Sequence, residues 1–190
     1  LKLLSNKCST LIDLLIGLLY PTDGEILIDD KSSKNKSALS NLSAYLPQDS
    51  LVLEDTIKRN VSLETDENET DLNLINSSLE KANLKTFIDS LPHGIETKIG
   101  ENSLRLSGGQ KQRLSIARNF YLKKEIIVMD EATSSLDEEN EDRIMDSLKN
   151  LKGKKTIILI THKLKLLKNF EKVYFLKNGN LKKIEDENYL

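Results

Sequence analysis

The sequence predicts an α/β fold, with parallel strands at the centre of a sheet and a separate all-helical lobe. Three observations predict it. Ile126–Met129 and Thr156–Ile160 are continuous apolar runs of strand length, as expected of strands buried on both faces. Helix and strand patterns alternate through the second half of the chain, as in α/β sheets. Over 71–91, and again from near Ser107 to Tyr121, the apolar residues recur at helical spacing.

Taken in order, Thr10–Leu19 reads as a helix with Leu11, Leu14, Leu15 and Leu18 at i, i+3, i+4 and i+7. Pro21-Thr22-Asp23-Gly24 carries turn chemistry. Glu25–Asp29 alternates as a strand, with Ile26 and Ile28 on one face. Lys31–Ser37 is a polar loop, and Leu42–Leu46 is a short strand stopped by Pro47, which has no N–H to donate. Glu64–Asp71 is acidic and reads as a solvated linker. Within Asp71–Leu91, Ile75, Leu79 and Ala82 share a helical face, and Phe87 and Ile88 belong to a second segment closed by Pro92-His93-Gly94. A third helix opens near Ser107 and carries Leu114, Ala117 and Tyr121 on one side. Glu138–Leu151 is a helix with Ile144, Leu148 and Leu151 facing inward. Val173–Leu176 and Leu181–Ile184 flank Asn178-Gly179, a strong hairpin signal.

At 190 residues the chain is one domain, or one domain with an inserted lobe. A chain of this size buries about 70% of its unfolded surface, so it needs no disulfide or metal to fold. Its 28 basic and 30 acidic residues give a net charge of −2, without the basic excess that general nucleic-acid binding requires. The single cysteine, Cys8, excludes an intrachain disulfide and fits a reducing compartment. No apolar run reaches the ~18 residues of a membrane span. The longest candidate, Leu11–Tyr20, is interrupted by Asp13 and Gly17. Lys2, Lys7 and Asp13 break any signal-peptide pattern. This reading excludes insertion of the chain itself into a membrane, but not attachment to a membrane-embedded partner.

Two motifs carry chemistry. Ile126-Ile127-Val128-Met129-Asp130-Glu131 ends an apolar strand in two acids, placing both carboxylates at the carboxyl edge of the sheet, where α/β ligands bind. One carboxylate can hold Mg²⁺ through water, and its neighbour can orient or deprotonate a water for attack on phosphorus. The same pair also suits a helix cap. In Leu106-Ser107-Gly108-Gly109-Gln110, Ser107 can cap the following helix. The two glycines let backbone N–H groups approach an anion closely, and the helix end adds about half a positive charge. That reads either as a phosphate-binding nest or as an ordinary Ser-Gly helix start.

Together the two motifs resemble the nucleotide-binding domain of ATP-binding cassette (ABC) transporters. Further motifs of that family follow in order between about Ser9 and Gly179. Tyr45-Leu46-Pro47-Gln48 looks like the Q-loop, Leu106–Arg113 the signature motif, and Ile126–Glu131 Walker B. Ser135-Leu136-Asp137 looks like the D-loop and Thr161-His162 the switch histidine. Thr97-Lys98-Ile99-Gly100-Glu101 resembles the X-loop of exporters, and 55–60 and 87–94 resemble exporter segments.

The resemblance implies a P-loop NTPase (RecA-like) core of parallel sheet with an all-helical signature subdomain and with N-terminal strands missing. Residues 1–48 would be the N-terminal part of the core, 49–122 the helical subdomain with the X-loop and signature, and 123–190 the C-terminal part of the core. It implies ATP and Mg²⁺ as cofactors, with Glu131, His162 and Gln48 catalytic. Ser9, Thr10 and Asp130 would bind nucleotide, and Ser9, Gln48 and Asp130 would surround the metal. Ser107, Gly108, Gly109 and Gln110 would act in trans, Asp137 across a dimer, and Thr97, Gly100 and Glu101 in coupling. The implied partners are a membrane-spanning transporter domain and a second nucleotide-binding domain, the same or different, at the cytoplasmic face of a membrane, with no nucleic acid.

One segment departs from the family. Its phosphate loop is G-x-x-x-x-G-K-[ST]. Here Lys2 and Lys7 stand at the two glycine positions and Cys8 at the lysine, leaving Ser9 and Thr10. Non-glycine residues held at unusual φ cost about 1–3 kcal/mol each, and cysteine lacks the lysine's charge. The strand that feeds this loop falls on Leu1–Leu4, a stub that leaves sheet backbone unpaired. The departure also fits a non-hydrolysing module whose signature completes another subunit's site, or a truncated remnant. A non-transport ABC ATPase acting on DNA or ribosomes is opposed by the net charge, the short helical lobe and the X-loop.

Overall fold

The computed structural model describes residues 2–3, 8–28, 31–32, 37–64, 66 and 69–184. Contacts divide the chain into two units, one of residues 1–45, 124–131 and 154–190 and one of residues 46–123 and 132–153.

The first unit is built on a four-stranded sheet. Its members are β1 (Lys2–Leu3), β4 (Ser43–Leu46), β7 (Ile126–Asp130) and β8 (Thr156–Ile160), in the order β1-β8-β7-β4. β7 and β8 run parallel in register from Ile126↔Thr156 to Asp130↔Ile160. The stub expected at Leu1–Leu4 forms over Lys2–Leu3 and pairs parallel with Leu159 and Ile160, while Leu1 and Leu4 lie outside the described residues. α1 (Cys8–Leu15) lays Ile12 and Ile16 against Val128, Ile160 and Leu176 to form the core. β9 (Val173–Lys177) and β10 (Asn180–Ile184) make the expected hairpin, with Asn178 and Gly179 at φ of +51° and +81° as its tight turn requires.

Two expectations here need correction. The N-terminal helix stops at Leu15 rather than Leu19, because Gly17 (φ +79°) turns the chain left-handed. Leu18 N–H bonds back to Asp13 O and Gly17 N–H to Leu14 O, a Schellman stop. The buried stripe is therefore Ile12 and Ile16, flanked by Leu11 and Leu15, while Leu18 is 57% exposed. The polar stretch 31–37 is not wholly loop. β3 (Lys31–Ser32) returns antiparallel along β2 (Leu27–Ile28), and α2 (Ser37–Leu42) starts at its end. Residues 33–36 of that stretch lie outside the described residues, as do Thr65, Glu67 and Asn68 of the acidic segment.

The second unit is helical, with α3 (Ile57–Ser62), α4 (Leu72–Lys81), α5 (Lys85–Asp89), α6 (Gly108–Tyr121) and α7 (Glu138–Lys149). A two-residue pairing joins β5 (Asp55–Thr56) to β6 (Lys98–Ile99). Ile75, Leu79 and Ala82 of α4 and Leu114 and Ala117 of α6 are fully buried. Thr56, Asp71, Ser107 and Asp137 cap α3, α4, α6 and α7, each accepting a backbone N–H with its side chain. Tyr121 at the end of α6 accepts the Asp71 N–H (3.2 Å) and reaches the Glu64 carboxylate (3.0 Å). The sequence reading places 132–153 with the C-terminal core; contacts place it with the helical unit. Asn83 Nδ2 donates to Asn140 Oδ1 (2.7 Å), which ties α7 to the turn after α4.

The buried Ile12–Ile16 stripe and the expected Leu11–Leu18 stripe of α1 differ in the cavity each would leave. Ile12→Ala is expected to lower the unfolding free energy by about 2–5 kcal/mol, and Leu18→Ala to change it by under about 0.5 kcal/mol. Urea unfolding of the two variants checks this, and equal losses would restore the expected Leu11–Leu18 stripe.

Candidate functional site

The parallel register of β7 and β8 brings the residues after both strands out side by side. Asp130, the last residue of β7, is 4% exposed. Its Oδ2 accepts the Ser9 hydroxyl at 2.5 Å, and the Tyr45 hydroxyl lies 3.4 Å from the same oxygen. Ser9 sits in the first turn of α1, which its buried isoleucines hold against β7 and β8. Tyr45 comes from β4, with its ring packed on the same core. Burial, reinforced by the charges of Asp130 and Asp13, pushes the Tyr45 phenol up to about 12.

Glu131 follows with φ +49°, an uncommon left-handed conformation for a non-glycine residue. Its N–H donates to Ile160 O (3.0 Å), which continues the β7–β8 ladder through the turn. Its Oε1 lies 2.8 Å from His162 Nε2. His162 is held from the other side, because buried Thr161 accepts the Lys163 N–H at 3.0 Å. Ser9, Asp130, Glu131 and His162 are thus brought together in the first unit. Thr10, beside Ser9 on α1, is exposed. The hydroxyl and carboxylate of Ser9 and Asp130 are hard oxygen donors of the kind that suits Mg²⁺. Among the described residues no group of three or more His, Cys, Asp or Glu could hold a metal. Lys7 and the side chain of Cys8, which stand at the second glycine and the lysine of the family's phosphate loop, lie outside the described residues.

The other expected residues belong to the helical unit. Ser107 Oγ accepts the Gln110 N–H (3.2 Å), and the Gln110 side chain accepts the Ser107 N–H (2.8 Å), a complete capping box. A Cβ on Gly109 would stand 3.2 Å from the Ser135 carbonyl, so glycine admits a close backbone approach there. Gln112 holds that approach in place. Its Nε2 donates to Ser134 Oγ (3.1 Å), and its Oε1 accepts the Ser135 N–H (3.0 Å). Asp137 caps α7; the Asn140 backbone and side chain, and then Arg113, hold its carboxyl below the usual range. Gln48 is exposed on the segment after Pro47. Thr97 O accepts the Ile57 N–H (3.0 Å), and Glu101 is exposed. Gly100 (φ +150°) faces Glu54, whose Cγ would lie 2.5 Å from an added Cβ. Gly100 and Glu101 border a cleft of about 720 Å³, with Leu51, Glu54, Leu104 and Lys111 among its other walls.

Sequence reasoning missed three features. Tyr45 has no role in the sequence reading beyond a strand and loop, although its alternation with Ala44 and Leu46 turns it to the other face of β4. Gln112 lies inside the quoted signature without a role. The left-handed turn at Glu131 has no local signal.

A profile of the ABC transporter family matches residues 8–134. Over 176 residues, 91% of the chain, it is 40% identical to an ATP-dependent lipid A-core flippase of Bordetella avium, covering 29% of that protein. It is 38% identical, again over 91% of its length, to a putative multidrug export ATP-binding/permease protein of Staphylococcus aureus, covering 30% of it. Among solved structures it superposes on a bacterial Atm1-family ABC exporter with ATP bound at a TM-score of 0.86. That match has 32% identity and covers 95% of this chain and 32% of the exporter. The chain therefore spans about three tenths of the length of these relatives.

Tyr45 gives a pH signature. Its folded pKa lies at about 12 against 10.0 for a free phenol, so on raising the pH the unfolded state ionises first. The stability it contributes is full below pH 10 and lost between about pH 10 and 12. Denaturant unfolding across that range is expected to show a shallower decline in Tyr45→Phe than in the wild type; parallel curves would remove Tyr45 from this account.

Proposed function

The chain belongs to the ABC transporter family, and on that premise we propose that it is the ATP-binding and hydrolysing domain of an export-type member. The observation that carries the proposal is the sheet-edge cluster. Glu131 and His162 meet at 2.8 Å beside Asp130 and Ser9 at 2.5 Å.

In this reading Glu131 orients the attacking water and accepts its proton as the bond to the γ-phosphorus forms and the bond to the leaving ADP oxygen breaks. His162 holds the Glu131 carboxylate and senses the γ-phosphate. Ser9 and Asp130 would hold Mg²⁺, which when bound would neutralise charge on the phosphates. Thr10 lies at the same helix end as Ser9 and contributes to nucleotide binding. The capped start of α6, Ser107 to Gln110, is aimed at ATP held by a second nucleotide-binding domain, with Asp137 near that junction. Its capping box leaves N–H groups of the first turn for an anion. In this reading the membrane-spanning partner docks at the cleft bordered by Gly100 and Glu101, close to Thr97, with the chain on the cytoplasmic side of a membrane. The flippase and export names of the relatives support an outward direction of transport.

Two measurements test this. Millimolar Mg-ATP is expected to raise the thermal transition of the chain, by about 2.7 kcal/mol of stability at a hundredfold excess over Kd. Glu131→Gln, in the domain assembled with its membrane partner, is expected to keep that shift and lose at least about a hundredfold in hydrolysis. An unmoved transition would remove ATP binding by this chain, and undiminished hydrolysis in the variant would remove Glu131 from the chemistry.

A further inference from the structure

The wall of the cleft from 50 to 54 belongs to no helix or strand. Its backbone polar groups still need partners, and two side chains supply them at Leu51 and Leu53. Asn60 on α3 is fully buried, and its Oδ1 accepts the Leu53 N–H at 2.8 Å. Its Nδ2 donates to Leu53 O at 3.0 Å and to Thr56 O at 2.9 Å. Arg118 on α6 completes the set. Its Nη2 donates to Leu51 O at 3.1 Å and its Nε to Asn60 O at 2.8 Å. A guanidinium is a rigid planar fork that serves two carbonyls at once, which a lysine ammonium on a flexible stem does not do as well.

Arg118 therefore grips one exposed cleft residue, Leu51, and the backbone of the residue that holds Leu53. The helix that carries it is unbroken from Gly108 to Tyr121 and begins at the Ser107 cap. Gly108 and Arg118 are separated by about 15 Å along its axis, at 1.5 Å per residue. We propose that Arg118 is a positioning residue that ties the cleft wall to the Ser107–Gly109 helix start, so that each end biases the other. Coupling of this kind is reciprocal and is carried by rigid elements. The inference rests on the reading of that helix start as an ATP contact and of the cleft as the seat of the membrane partner.

Amide hydrogen exchange in the assembled transporter, with and without Mg-ATP, tests it. Leu53 and Asp55 report the wall, since their N–H groups bond to Asn60 Oδ1 and Leu53 O. Gln110 and Lys111 report the helix start, since theirs bond to Ser107. In the wild type Mg-ATP is expected to slow both pairs. In Arg118→Met, exchange at Leu53 and Asp55 is expected to be about tenfold faster and unresponsive to Mg-ATP, while Gln110 and Lys111 still respond. Arg118→Lys, able to regain one carbonyl, should fall between. Wild-type protein in which Gln110 and Lys111 slow while Leu53 and Asp55 stay unchanged would overturn the proposal, and this arm needs no variant to fold. So would an Arg118→Met protein whose wall still responds. Wild-type protein with no Mg-ATP response at Gln110 and Lys111 would instead mark failure of the reading of that helix start as an ATP contact, and the inference would fall with it.

Discussion

The parallel pairing of β7 with β8 is the constraint on which the sheet-edge cluster depends. Both strands are runs of branched and apolar residues whose buried members, such as Val128 and Leu159, are fully out of solvent. Burial of that kind fixes register, because a one-residue slip would turn each side chain to the opposite face. With Asp130 opposite Ile160, two short extensions, Glu131 after one strand and Thr161-His162 after the other, must leave the sheet together. The Glu131 N–H bond to Ile160 O extends the ladder just far enough to bring a carboxylate to an imidazole. α1 then needs only its two buried isoleucines to set Ser9 against Asp130.

The helical unit is organised by a different means. Its apolar faces pack α3, α4 and α6 together, but its irregular segments are held by side chains that answer backbone groups. Asn60 and Arg118 hold the wall from 51 to 56. Gln112 holds 134–135, and Tyr121 receives the start of α4. Each is a buried or partly buried polar residue whose loss would strand a backbone donor or acceptor, which costs more than the bond itself contributes. These residues also do what loops cannot do for themselves, fixing chain that carries no ladder of its own. The unit can therefore present a long irregular cleft wall and a closely packed turn beside Gly109 without giving up definition.

Among the described non-glycine residues, left-handed backbone occurs at Leu63, Asn83, Lys123 and Asn178 as well as at Glu131, and only at Glu131 does it coincide with a residue expected to carry chemistry. Glu131 is in a left-handed conformation that a side chain adopts at a cost of about 1–3 kcal/mol. Its ladder bond and its contact with His162 offset that cost. Gly109 and Gly100 are the opposite case, positions where any side chain would meet Ser135 or Glu54. A motif read along the sequence is in these places the record of a tertiary contact.

The sequence alone determined the elements whose signal is local and long enough to be unambiguous. β8 falls on its expected residues, β7, α7 and the hairpin fall within one or two residues of theirs, and α4 and α6 start within one residue of the expected starts. It also determined, through resemblance, which residue types gather at the sheet edge. Tertiary structure decided the rest. The two-residue pairings β5–β6 and β2–β3 carry too few residues to show a period, and the partners of β5–β6 lie about forty residues apart. The end of α1 was decided by a glycine in a left-handed turn overriding a leucine spacing that would run on to Leu18. That residues 132–153 join the helical unit, and that Tyr45, Gln112 and Arg118 serve groups tens of residues away, follows from packing and hydrogen-bond satisfaction in three dimensions. A periodic pattern cannot encode these, because each depends on where a distant backbone group comes to rest.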